Sequence, residues 1–299
     1  MFEKSTWLHL RIPFSFFLLP VFLFALAVSP NINESRIVIV LIALHIFLYP
    51  ASNGYNSYFD KDEGSIGGLK RPPKVNTGLY YMAHVFDTIA IVLGLLINWQ
   101  FALMLFVYGL VSKAYSHPSI RLKKYPYLSW FIAGFFQGFF TFLMSYVGLN
   151  DYTIYQVMKS SIIIPGLLSS AILWGSYPMT QIYQHEEDSK RGDITLSLRL
   201  GILGTFHFTG AAFTLASACF AWYFVEVYHL KYALTFLVSM APVVLFFGYW
   251  YLKARKELAN ANFINTMRLN FLSAIFLNAF FIYFFLDHTQ VLQAIKAGY

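Results

Sequence analysis

Two segments of this 299-residue chain carry two amides and an aspartate at the same spacing. The first runs Tyr49-Pro50-Ala51-Ser52-Asn53-Gly54-Tyr55-Asn56-Ser57-Tyr58-Phe59-Asp60, with Gly64 four residues on. The second runs Tyr177-Pro178-Met179-Thr180-Gln181-Ile182-Tyr183-Gln184-His185-Glu186-Glu187-Asp188, with Gly192 four residues on. Each match is offset by 128 residues, the separation of Tyr49 from Tyr177. Tyr, Pro, Tyr, Asp and Gly are identical, and Asn53 and Asn56 correspond to Gln181 and Gln184. Asn53, Asn56 and Asp60 stand at i, i+3 and i+7, so on a helix they share one face. Asp60, Asp62, Glu63, Glu186, Glu187, Asp188 and Asp193 together make up half of the chain's 14 acids. Carboxylates gathered in this way repel one another unless something neutralises them. Hard oxygen ligands suit Mg²⁺, which takes one or two carboxylates and completes its shell with substrate phosphate oxygens.

Basic residues flank both acidic segments: Lys70, Arg71 and Lys74 after the first, Lys190 and Arg191 within the second. A third polar segment, Tyr115-Ser116-His117-Pro118-Ser119-Ile120-Arg121-Leu122-Lys123-Lys124, lies between them. Arginine forks and lysine point charges both match phosphate oxygens. Acids for a metal, bases for phosphate and a chain that is 20% aromatic suit a substrate with a diphosphate head and a long apolar tail.

The elements that must position these residues are membrane helices. Of the residues, 58% are hydrophobic and only 12% charged. Soluble domains carry roughly a quarter charged residues, so lipid is the main solvent here. Nine stretches approach the roughly 20 apolar residues that span a bilayer: 12–28, 36–55, 79–97, 99–112, 127–149, 161–183, 205–225, 232–252 and 269–286. The fold class expected is therefore all-α, one polytopic bundle of about nine transmembrane helices. The apolar run at 12–28 follows Lys4 and Arg11 and ends near Ala25-Leu26-Ala27, which also resembles a cleavable signal; its continuation to Pro30 favours a retained helix. With a cytoplasmic N-terminus, 17 of the 21 lysines and arginines face inward, leaving Arg36, Lys159, Lys231 and Lys296 outside. This is the positive-inside pattern. It makes the chain a multi-pass protein of the cell (inner) membrane with its acidic loops in the cytoplasm. It also explains the net charge of +7 without nucleic acid. Four helices separate the repeated segments, so both leave the membrane on the same side. Residues 1–299 read as a single domain built by duplication, with halves of roughly 1–125 and 126–299. Asp87, midway along the third stretch, is an ionisable group inside the membrane, and His84 stands one turn before it.

These motifs resemble those of the UbiA superfamily of intramembrane prenyltransferases. The family pattern NxxxDxxxD is similar to Asn56, Asp60 and Gly64, followed by an Arg71-Pro72 stretch. The pattern DxxxDxxxG with a following Thr-Leu is similar to Gln184, Asp188, Gly192, Thr195 and Leu196, and the 115–123 segment resembles the family's basic loop. The resemblance covers the whole chain in architecture and about 60 residues in three loops. It implies Mg²⁺-assisted transfer of a prenyl group from a polyprenyl diphosphate to a lipophilic or aromatic acceptor, as in quinone and related lipid biosynthesis. The implied catalytic residues are Asp60, Asp188 and Asn56, and the metal ligands Asn56, Asp60, Asp62, Glu63, Gln184, Glu187 and Asp188. The implied diphosphate site is Arg71, Lys74, Arg121, Lys123, Lys190, Arg191, Tyr55 and Tyr183. By contrast Lys253, Arg255 and Lys256 have no partner motif and read as topology determinants. Gly64 and Gln184 stand where the family has aspartates, so each motif keeps one of its usual pair. Two alternatives stay open: a secondary transporter, since repeated halves also build transporters, and a relative that binds a lipid diphosphate without turnover.

Overall fold

A computed structural model describes residues 3–291 and 293; Lys296 lies outside them. Among the described residues the chain is helical between its loops, and the only strand-like pairing is an isolated bridge, Ile66 to Leu69. The helices are α1 (Lys4–Phe17), α2 (Leu19–Ala27), α3 (Glu34–Asp60), α4 (Gly78–Leu95), α5 (Trp99–Ser116), α6 (Pro126–Asn150), α7 (Ser160–Gln181), the short α8 (His185–Arg191), α9 (Leu196–Val227), α10 (Leu230–Lys256) and α11 (Phe263–His288).

Seven of these, α3, α4, α6, α7, α9, α10 and α11, are long and apolar enough to cross a bilayer. An eighth span is the pair α1 and α2, bent by 42°. The expected count of nine is therefore not reached by length and apolarity. The difference lies in α5, an 18-residue helix that carries Gln100, Tyr108, Ser112, Lys113 and Ser116 among its apolar residues. It forms the expected tight hairpin with α4. Asn98 caps α5 by accepting from the Phe101 N–H at 2.8 Å. Gly94 lets α4 close on α5, since a Cβ there would meet the Ala102 backbone at 3.0 Å. Inside the hairpin Asp87 pairs with Lys113, not with His84, whose Nδ1 lies 2.8 Å from the Tyr80 carbonyl.

The largest core cluster is aromatic. Phe24 of α2 stacks on Phe281 of α11 with ring centroids 4.7 Å apart and meets Phe142, Phe220 and Tyr223. Offset and edge-on rings of this kind add to plain area burial. The segment that resembles a signal sequence is thus a central core strut.

Two helices contain a π-helical turn, Ala43–Leu48 in α3 and Phe135–Phe140 in α6. The second has a visible cause. Ser170 of α7 accepts the Phe139 N–H at 2.8 Å and donates to the Gly134 carbonyl at 2.8 Å, splicing its hydroxyl into the α6 ladder. A side chain inserted in this way widens and bends a helix. Gly138 is the matching cutaway, because a Cβ there would lie 2.5 Å from the Ser170 backbone. The π turn contains Gln137, which matters below.

Candidate functional site

The loops that follow α3, α5 and α7 meet at one end of the bundle over a cavity of about 230 Å³. Helix α3 stops on Asp60 because Lys61 turns left-handed (φ 50°), leaving the carboxylate at the helix end over the cavity. Helix α8 stops at Gly192 (φ 73°), and the Asp193 N–H closes back onto the Asp188 carbonyl at 2.9 Å. This αL cap favours glycine. It turns Asp193 back into the protein, where it is 1% exposed.

The repeated segments are tied to each other. Arg191 pairs with Asp62 and, at 3.2 Å, with Glu187. The Gly64 N–H donates to Glu187 Oε1, and Gln184 donates to the Ser65 carbonyl at 3.3 Å. Gly64, which stands where a second aspartate was expected, leaves room that the Glu187 carboxylate occupies.

The 115–124 segment supplies the counter-charges. Lys123 pairs with Asp60 and lies 3.5 Å from Asp193. Arg121 grips Asp193 through two bonds of 2.8 Å. Arg121 does so from a left-handed conformation (φ 45°), a cost that the bidentate pair offsets. Its contact with Asp193 holds the guanidinium above its usual range.

Asp188 is treated differently. Its Oδ2 is buried with no hydrogen-bond partner. Burial, with Asp193, Asp60 and Glu187 nearby, pushes its carboxyl up to about 7 despite the opposing pull of Lys123. An orphaned carboxylate oxygen at a cavity wall among other acids fits a cation. Among the described residues no three His, Cys, Asp or Glu side chains converge as a preformed metal shell. Mg²⁺ does not require one, since one or two carboxylates and substrate oxygens suffice.

Of the residues singled out in the sequence, Asn56, Asp60, Asp62, Lys123, Tyr183, Gln184, Asp188 and Arg191 line this one cavity. Arg121 and Glu187 stand behind it in the ion-pair web. The remaining five lie elsewhere. Tyr55 stands roughly 200° around the helix from Asn53, and it packs on Tyr80 and His84 of α4 under the Lys113 ammonium. Glu63, Arg71, Lys74 and Lys190 are solvent-exposed off the cavity, Lys190 pairing with Glu186 on the surface. Sequence spacing does not say which way a charged side chain turns, and these four turn outward.

Four contributors were not singled out as site residues. Arg11 of α1 lines the cavity, donates to the Gly67 and Asn53 carbonyls at 3.1 and 3.2 Å, and keeps its buried Nε unpartnered. Tyr115 and Tyr177 line it as a hydrogen-bonded pair. Asp193 holds two of the site's cations.

Lys253, Arg255 and Lys256 end α10 away from the cavity, Lys253 lying over the Tyr249 ring. If the chamber takes a diphosphate head, as the sequence motifs imply, replacing Lys123 by Met is expected to weaken prenyl diphosphate binding at least tenfold, the cost of one charge-assisted contact. The triple change Lys253→Gln, Arg255→Gln, Lys256→Gln is expected to leave it within twofold. Equal losses in a calorimetric titration would remove Lys123 from the site.

A second cavity, of about 160 Å³, continues from the first into the bundle. Its walls are mainly apolar, with Phe17, Leu18, Leu173, Met179, Phe213 and Leu277. Phe14, Ser52, Asn53, Tyr108, Gln137, Tyr177, Thr180 and Asn270 line both cavities, so the two form one lumen.

The molecule is thus a multi-pass helical membrane protein with a charged chamber at one end opening into an apolar one. The UbiA prenyltransferase family model matches residues 17–275, and the chain belongs to that family. Solved structures share the fold at low identity. A UbiA homologue from Aeropyrum pernix K1, without ligand, superposes with a TM-score of 0.71 at 19% identity, covering 91% of this chain and 98% of its own. A UbiA homologue from Archaeoglobus fulgidus bound to GPP and Mg²⁺ gives 0.65 at 16%, covering 94% and 99%. A digeranylgeranylglyceryl phosphate synthase gives 0.58 at 20%, covering 95% and 97%. No curated protein matches the chain by sequence.

Proposed function

We propose that this protein is a Mg²⁺-assisted membrane prenyltransferase that moves a prenyl group from a polyprenyl diphosphate to a lipophilic acceptor, most naturally an aromatic one. The observation that carries this reading is the continuous lumen. Its charged chamber is lined by Asp60, Asp188, Lys123 and Arg191, and its apolar chamber by aliphatic and aromatic side chains. A diphosphate head and an isoprenoid tail have that polarity and that order. The two halves, roughly 1–125 and 126–299, each deliver one acidic motif to the charged chamber. The Archaeoglobus fulgidus homologues bound to GPP and to DMAPP, each with Mg²⁺, support the same assignment.

Asp60 and Asp188 would hold the metal, with the amide oxygens of Asn56 and Gln184 one turn before them as neutral ligands. Mg²⁺, when bound, supplies positive charge against which the diphosphate leaves. Lys123 and Arg191 then exchange their carboxylate partners in part for diphosphate oxygens and stabilise the charge that grows there. The C1–O bond breaks and its electron pair departs with the diphosphate. The Tyr108, Tyr115 and Tyr177 rings wall the chamber and can face the allylic cation. The apolar walls beyond them hold water away from it. A ring carbon or oxygen of the acceptor supplies the electron pair for the new bond, and the proton it loses passes to the released diphosphate.

Purified protein in lipid nanodiscs, given geranyl, farnesyl or geranylgeranyl diphosphate with a phenolic acceptor panel, is expected to release diphosphate and form prenylated product. EDTA should abolish both, and added Mg²⁺ should restore them. Tight binding of prenyl diphosphate with no release under any condition would instead identify a binder without turnover, and substrate flux across vesicles a transporter.

A further inference from the structure

The seam between the two chambers differs in chemistry from either. The diphosphate belongs in the charged chamber and the tail in the apolar one, so the bond that joins them lies at the seam. An acceptor must place its nucleophilic atom about 3–3.5 Å from that carbon to react. Whatever lines the seam therefore touches the acceptor.

None of the eight seam residues is charged. Several spend their polar groups on the protein: Ser52 bonds Ser112, Thr180 donates to the Tyr177 carbonyl, and Tyr177 pairs with Tyr115. The Tyr108 hydroxyl and the side-chain amides of Asn53 on α3, Gln137 on α6 and Asn270 on α11 make no hydrogen bond among the described residues, and the three amides are only partly buried, open to the lumen they line. Gln137 sits in the π turn of α6 that Ser170 creates, the place where a helix departs from regular spacing to re-aim its side chains. Arg11 lines the charged chamber but not the apolar one, and its guanidinium is held by the Gly67 and Asn53 carbonyls.

We propose that Gln137 and Asn270 bind the acceptor, and that the group they recognise is a neutral hydroxyl or carbonyl, as on a phenol, quinol or alcohol, and not a carboxylate. A primary amide offers two N–H donors and a carbonyl acceptor, the complement of a hydroxyl that both gives and takes a hydrogen bond. A carboxylate held by Gln137 and Asn270 would face amide carbonyls, and the one cation that touches the seam, Arg11, already spends its guanidinium on the Gly67 and Asn53 carbonyls, so the anion would keep much of its desolvation cost. This inference rests on the prenyltransferase reading and assigns the acceptor side of that same lumen.

The test uses Gln137→Met and Asn270→Leu, near-isosteric apolar changes that remove no hydrogen bond from the fold. Wild-type protein and both variants are assayed with geranyl diphosphate and Mg²⁺ against neutral naphthols and quinols, and against their carboxylated counterparts. Wild type is expected to prefer the neutral acceptors. Each variant is expected to raise the KM for the neutral acceptor about tenfold to a hundredfold, as for loss of a buried hydrogen bond. The affinity for geranyl diphosphate, titrated calorimetrically without acceptor, should shift at least fivefold less. Acceptor KM unchanged in both variants would overturn the inference, as would wild-type preference for carboxylated acceptors or donor affinity falling in step with acceptor KM. Failure of the wild type to bind geranyl diphosphate at all would overturn the prenyltransferase reading itself. Diphosphate release with no panel member prenylated would overturn only the neutral-acceptor assignment, whereas donor binding without release would overturn the prenyltransferase reading.

Discussion

Asp60→Asn and Asp188→Asn are each expected to slow prenyl transfer by at least a few hundredfold at saturating Mg²⁺, on the scale of losing one preorganised electrostatic group. The two carboxylates occupy matching positions in the repeat and line one cavity, which under the proposed function would hold a polyanionic substrate. Asparagine keeps their shape and removes their charge. Asp62→Asn is expected to cost less, because Asp62 is engaged with Arg191, which also holds Glu187. Stability gives an internal control. The Asp188 carboxyl is raised to about 7 by burial, so the folded protein holds a proton there that the unfolded chain, near 3.8, has lost. Between those values stability falls as pH rises, and above about 7 the full cost of the buried charge is present. Asp188→Asn removes that cost. The metal-free variant should therefore melt at or above the wild-type temperature at pH 8 while its catalysis collapses. Near-normal turnover in both variants would end the metal-assisted reading. A lower melting temperature for Asp188→Asn at pH 8 would show that the loss reflects folding.

Much of this was legible because the signals are redundant. Long apolar runs fix helices in lipid, where the backbone has no other way to satisfy its hydrogen bonds. The 128-residue repeat marked both acidic helix ends, and Asn56, Asp60, Gln184 and Asp188 do line one cavity. What sequence could not resolve was direction. Tyr55 lies inside the motif but on the α4-facing side, a consequence of the 100° step between helical residues. Arg71, Lys74 and Lys190 resemble Arg191 in type and distance from the motifs, yet only Arg191 faces the cavity, the 100° step along α8 setting Lys190 outward. Arg11 read as a topology charge, since nothing in its neighbourhood marks the left-handed turn (φ 49°) in which it lines the cavity. The stretch at 99–112 is not marked as a span by apolarity for a related reason: the polar residues of α5 are spent inside the bundle, on Asp87 through Lys113 and on Asn56 through Ser116, which lowers its mean apolarity. Asp193 carried a readable signal, an acid directly after the glycine that closes the second motif.

That residue gives the second large expected effect. Asp193 is 1% exposed and accepts two bonds from Arg121 and a close approach from Lys123. It is the fixed anion of the site, since no metal or substrate needs to reach it while it sits under both cations. Asp193→Ala removes one side of a buried pair and leaves the Arg121 guanidinium only its longer approach to Asp60, at 3.8 Å, a change that costs up to about 3–5 kcal/mol when the partner stays buried. Arg121 is also held in a left-handed backbone conformation, which the bidentate pair helps to maintain. Without Asp193 that turn is expected to relax, carrying Lys123 away from Asp60. The variant should unfold several degrees below wild type. In whatever fraction stays folded, the affinity for geranyl diphosphate should fall at least tenfold. Asp193→Glu separates the two effects: the charge survives but the carboxylate is displaced by one methylene, so stability should be partly recovered while donor affinity stays low. Wild-type donor affinity in Asp193→Ala would mean that Arg121 and Lys123 are placed by the α5–α6 loop alone, and that Asp193 serves only to neutralise them.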